Sequence, residues 1–262
     1  MTHRLLAALA AAVALSACEP VATGDDAAVG LAIGAVQPAL EAQTALLTAI
    51  DACTDCTDLD DLRGHLQTTL GACATVRAFP SAKSACTWVN GRSALEVAAV
   101  GCDLGLGRAV SGTVLVAQAD GSTIRHFETD VVLGDHGVVA CGQISGGGPD
   151  HHLAFEAVAH GTTGGDVLIS WSGPTRVREG VVEREGTIGA QFTGSDGVGY
   201  LVQGEASGLR RADGNSLPHA GRIAFQGTDG AAAIEFAADT PTTGGIRLLR
   251  SDGRTETLVV AR

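Results

Sequence analysis

The 262-residue chain carries a formal charge of −12, with a single lysine, Lys83, and no cluster of basic residues. Such a surface repels phosphate backbones, which excludes nucleic acid as an expected partner. Two Trp, one Tyr and six Phe leave few rings for stacking on sugars.

In chain order, the first element is an export signal. Arg4 precedes an apolar run of Leu, Ala and Val that closes on Leu15-Ser16-Ala17-Cys18. A basic start, an apolar core and a small-residue cleavage site form a secretory signal. The 13 residues 5–17 are too few for a membrane span. All four positions of the closing tetrapeptide resemble the lipobox of bacterial lipoproteins, a resemblance confined to this N-terminal segment. It implies that Cys18 becomes the acylated first residue of the mature protein, bearing covalent diacylglycerol and N-acyl lipid, with no other cofactor expected. It also implies export and a membrane partner through that anchor, the outer membrane being the expected one. Residues 1–17 are then the signal peptide. Residues 18–36, small and acidic with several glycines, read as anchor and tether.

Residues 37–90 read as a small disulfide-rich helical region. Pro38 suits a first helical turn, and Leu40, Ala42, Leu46, Leu47 and Ile50 follow at helical spacing. A second helix is predicted from Thr57 as its cap, with Asp58, Asp60 and Asp61 in the first turn and Leu59, Leu62, Leu66 and Leu70 on one face. The two form an antiparallel hairpin. With Cys18 acylated, Cys53, Cys56, Cys73, Cys86, Cys102 and Cys141 make an even set that reads as three disulfides in an oxidising compartment. A helix between Cys56 and Cys73 separates them by roughly 25 Å, beyond the reach of a disulfide. Cys73 therefore reaches Cys86, Cys102 or Cys141, with Cys86 preferred and a later cysteine tying the helices to the sheet.

Residues 91–262 change texture to short Val, Ile, Leu and Thr segments separated by turn clusters. Asp-Gly pairs begin at Asp120, Asp196, Asp213, Asp229 and Asp252, and each is a strong hairpin signal. A two-residue turn at Asp229-Gly230 places Phe225 opposite Ile234 and Ile223 opposite Phe236. Around Asp252-Gly253 no single register pairs all the apolar residues, so a bulge is expected. Gly112, Gly142, Gly189 and Gly204 within strand-like runs also suggest bulges or curvature. The fold class is mainly β (α+β): a Cys-rich helical hairpin, then ten to thirteen strands of a strongly curved antiparallel sheet, as barrel, half-barrel or sandwich.

No hydrolase elbow, zincin helix or phosphate loop is present, and no catalytic residue is assigned. Cys53-Thr54-Asp55-Cys56 lacks the βαβ context of a redox pair and the following His of a haem site, so it reads as structural. Asp135-His136 and Asp150-His151-His152 lie on turns; taken as sharing one sheet edge, His136, Asp150 and His152 could hold a metal. Read plainly, these are common polar turn residues. The favoured function is a non-catalytic binding or interaction module of the cell envelope, its partner an envelope protein or an apolar ligand. The alternatives are a metal-dependent envelope enzyme and a lipid carrier whose curled sheet holds an acyl chain.

Overall fold

The computed structural model describes residues 25–119, 121–161, 165–194, 197, 199–227 and 230–260. The signal segment and Cys18 lie outside these residues. Three helices come first: α1 (Asp26–Ala35), α2 (Gln37–Asp51) and α3 (Leu59–Leu70). Thirteen strands follow among the described residues: β1 (Ala74–Phe79), β2 (Ala94–Asp103), β3 (Ala109–Gln118), β4 (Arg125–Leu133), β5 (His136–Ser145), β6 (Asp150–Gly161) and β7 (Gly165–Arg178). Then come β8 (Val181–Thr193), β9 (Gly199–Ala212), β10 (Ala220–Gln226), β11 (Ala231–Phe236), the one-turn α4 (Thr240–Thr243), β12 (Gly245–Leu249) and β13 (Thr255–Val259). All thirteen lie in one antiparallel sheet, ordered as in the sequence, and β1 does not pair with β13. The expectation of a mainly β chain with an N-terminal helical region is met.

The three helices cover one face of this sheet. α1 packs on β11, β12 and β13, α2 on β4, β5 and β6, and α3 on β1 and β2. The strands alternate accordingly. In β4, Arg125, Phe127, Thr129, Val131 and Leu133 are buried under the helices, while the residues between them point outward. Gly142 shows why one inner position must be small: a Cβ there would lie 2.6 Å from Phe155 Cβ and 2.8 Å from the Phe127 ring. Gly142, expected to mark a bulge, instead sits in regular register between those two phenyl groups. Gly189 and Gly204 are likewise in regular register, whereas Gly112 pairs with Ala99 at the Ala99/Cys102 register shift; the other shifts lie at Arg184/Gly186 and Ala220/Arg222.

Several expectations are corrected. Residues 26–35, read as tether, form α1, because Gly30 and Gly34 let the helix backbone settle onto Ile234, Leu258, Ile246 and Val260. Asp25 caps this helix and pairs with Arg250 at 2.7 Å, and Asp26 accepts from Ser251 N and Oγ at 2.7 Å. Asp58, not Thr57, caps α3, accepting from Asp60 N and Asp61 N at 2.9 Å. The predicted leucine face holds: Leu62, Leu66 and Leu70 are buried. β1 falls inside the stretch read as helical and joins the main sheet through β2.

The disulfides are Cys53–Cys56, Cys73–Cys102 and Cys86–Cys141. Cys73 thus takes Cys102, not the preferred Cys86. It ends the helical segment directly beside β2, whereas Cys86 belongs to a loop folded over the outer face of β3–β5, where Cys141 points. In the β10–β11 hairpin, Ile223 faces Ile234 and Phe225 faces Ala232. The register differs by two residues from the expected one because the connection spans residues 227–230, closed by Gly227 N to Gly230 O. The β12–β13 ladder is regular, and the irregularity is confined to a three-residue turn with Gly253 at φ 84°.

Candidate functional site

α2 is mostly apolar but carries one polar stripe. Gln37, Glu41, Thr44, Thr48 and Asp51 recur at intervals of four and three, which places them on one helix face. At one end, the Glu41 carboxylate accepts from both Arg184 and Arg211, the latter at 3.0 Å, and all three side chains are at most 3% exposed. Arg184 also lies over the Trp171 ring, 5.2 Å from its centroid, and reaches Thr44 Oγ1 at 3.4 Å. Arg211 donates to the Gly105 carbonyl at 2.8 Å.

At the other end, Asp51 accepts from Arg125 and, at 3.1 Å, from Gly147 N. His151 Nδ1 stands 3.9 Å from Asp51 and 3.4 Å from the Gly148 carbonyl. Arg125 continues to Gln118 Oε1 at 3.0 Å and to the Cys53 carbonyl at 2.8 Å, and Gln118 donates to the Cys56 carbonyl at 3.1 Å. The 53–56 disulfide loop is therefore tied to β3 and β4 through its carbonyls. Burial pushes the Asp51 carboxyl up, with Arg125 and His151 pulling the other way, and pushes His151 down, opposed by Asp51. The arrangement fastens helix to sheet, and its charged groups are closed to solvent.

The three residues read as a metal set do not meet. His136 is buried at the start of β5, opposite Leu133. Asp150 and His152 are exposed at the start of β6, beyond the far end of β5, and Asp150 pairs with Arg178 at 2.5 Å. Consecutive hairpin turns fall on opposite edges of a meander, and the ten residues of β5 hold the two clusters roughly 30 Å apart. Among the described residues no group of three His, Cys, Asp or Glu could hold a metal ion. His151, passed over for the adjacent His152, is the one that faces the core.

The outer face of β7–β11 carries an open groove of about 740 Å³. Two cross-strand rows build it: Ser170, Gly189 and Gln203, then Thr187, Glu205 and Ala224. Gln226 and Ala231 close its far side. Gly189 and Ala224 leave the floor low, while carboxamides, hydroxyls and one carboxylate stand along the walls. The sequence reading missed both features. The α2 stripe was legible as polar residues at helical spacing, but the groove depends on register across five strands. Comparison of the chain with protein-family models, curated proteins and solved structures found no match.

Proposed function

We propose that this chain is a cell-envelope lipoprotein, anchored through acylated Cys18, whose sheet is a non-catalytic binding module for a polar client. The observation that carries this reading is the groove over Gly189 and Ala224. Its volume falls in the range of ligand sites, and Ser170, Thr187, Gln203, Glu205 and Gln226 set hydrogen-bonding groups along its walls. Glu205 favours a client that is neutral or positively charged where it meets the wall. The inner face argues against an acyl-chain carrier, because α1, α2 and α3 occupy it and two buried ionic clusters run along α2. The separation of His136 from Asp150 and His152 argues against the metal-enzyme reading.

A strongly curved sheet of half-barrel type belongs to the same proposal. The β2–β3 and β9–β10 loops bond to each other, Gly214 N to Gly105 O at 2.9 Å. In a flat sheet they would lie on opposite edges, six or seven strand spacings, roughly 30 Å, apart across the strands and a strand length apart along them. Leu106 and Leu217 of these loops are buried in the common core, which supports a sheet curled around α2.

Cross-linking in cells tests the binding surface. A photoreactive phenylalanine at Gln203 is expected to capture a client that the same group at Arg178, away from the groove, does not. Ala231→Trp, at an exposed position, should fill the groove and abolish the adduct. Equal capture at both positions refutes the groove. The anchor is tested separately: labelling with a fatty-acid analogue should disappear in Cys18→Ala, and persistence of label refutes acylation there.

A further inference from the structure

Between the two ionic clusters α2 runs across the strands. Arg184 Nη1 reaches Thr44 Oγ1, and seven residues later Asp51 lies beside His151. Seven helical residues rise about 10.5 Å, and two strand spacings from β8 to β6 amount to about 9.5 Å. The helix therefore keeps step with the inward-facing row His151, Thr175 and Arg184, which are cross-strand partners. Thr48, one turn after Thr44, falls over Thr175. At this point Thr48 Oγ1, Thr175 Oγ1 and His151 Nε2 are all buried without a hydrogen-bond partner. Thr175 is 0% and His151 4% exposed.

The buried charges along this face of α2 do not balance. Arg125, Arg184 and Arg211 bring three guanidinium groups, and Asp51 and Glu41 answer two of them, every one at most 3% exposed. Buried polar atoms are ordinarily partnered, and a buried charge without a counterpart is strongly unfavourable. We propose that one small monovalent anion, of the size and charge of chloride, binds between Thr48, Thr175 and His151 and answers the surplus positive charge. The two hydroxyls donate their O–H groups to it. His151 Nδ1 faces the Gly148 carbonyl at 3.4 Å and the Asp51 carboxylate at 3.9 Å, so Nε2 donates to the anion only when the ring carries both protons. A water molecule would satisfy the hydrogen bonds but not the charge, and the two occupants are experimentally distinguishable.

Thermal unfolding in sodium chloride and in sodium gluconate, at matched ionic strength, gives the first reading. The midpoint should rise saturably with chloride alone, as for a ligand that binds only the folded state. Crystals grown in bromide should show an anomalous peak between the two threonines. Thr175→Val should fold and need at least tenfold more chloride for the same shift. If that variant does not fold, Thr48→Val, at a half-exposed position, provides the same comparison. Equal midpoints in the two salts, equal chloride responses of wild type and variant, or a peak without anomalous signal would overturn the proposal.

Discussion

Glu41 shows what a single buried side chain commits the fold to. It sits on α2, and its two guanidinium partners lie 143 and 170 residues away. Removing one partner of such a pair leaves a buried charge, at a cost of about 3–5 kcal/mol. Glu41→Gln, which takes the shared carboxylate from Arg184 and Arg211, should therefore lower stability by that order in urea titration, while exposed Arg210→Ala, whose partner is Glu183, should cost less than about 1 kcal/mol. pH acts at the other end of α2. His151 is held below its ordinary value by burial, so the folded state resists the proton that the unfolded chain accepts. Stability is thus fully present above the ordinary histidine pKa and lost as pH falls from there toward the folded value. Asp51, shifted upward by burial, works the opposite way: its proton is taken up first by the folded state, which offsets part of the loss at lower pH. The midpoint in urea should fall as pH drops below the ordinary histidine pKa of about 6.5, and His151→Gln should flatten that decline. A slope unchanged in the variant would assign it to another group, His126 being the other histidine that burial holds down.

At the scale of elements, glycines separate close packing from mere helix weakening. A Cβ at Gly34 would fall 2.7 Å from Ile246 Cδ1 and 2.8 Å from Val260 Cγ1. Gly34→Val should destabilise by about 1–3 kcal/mol as α1 is pushed off β12 and β13. Gly64, exposed in mid α3, has nothing within 4 Å of its would-be Cβ. Gly64→Ala should stabilise by up to about 1 kcal/mol, and urea titration of both variants checks the contrast. α1 itself escaped the sequence reading because a helix of Ala, Gly and Val resembles a linker in composition. Its evidence is tertiary: two glycines spaced to match the side chains of β11–β13. α3, by contrast, was legible from its acidic first turn and leucine spacing, and only the identity of its cap differed.

Across the whole molecule, the strand meander was readable from the Asp-Gly turns, whereas disulfide pairing and site composition were not. Pairing depends on which face a cysteine reaches: Cys141 points outward from β5 to the loop carrying Cys86, a fact set by register. The hydroxyls and carboxamides of the groove come together for the same reason. Chain closure ranks the three bridges. Cys53–Cys56 closes a separation of three residues, Cys73–Cys102 of 29 and Cys86–Cys141 of 55. Removing either long bridge by paired Ser substitution should cost about 3–4.5 kcal/mol, and removing the short one distinctly less. Peptide mapping under non-reducing conditions should recover these three linkages.

The order of the sheet also has a temporal side. Each strand pairs with its neighbours in sequence, so hairpins can form as the chain lengthens, N-terminus first. α2 has no such early partners for its charges: Asp51 waits for β4, and Glu41 for β8 and then β9. A chain stopped after β7 would contain the helix and half of the sheet, yet leave Glu41 unmatched. Folding should therefore lock late, with the helices acquiring protection from hydrogen exchange only when residues 181–212 have joined. Pulse-labelled exchange during refolding should show α2 amides protected in the same phase as those of β8 and β9, and protection of α2 ahead of them would disprove this order.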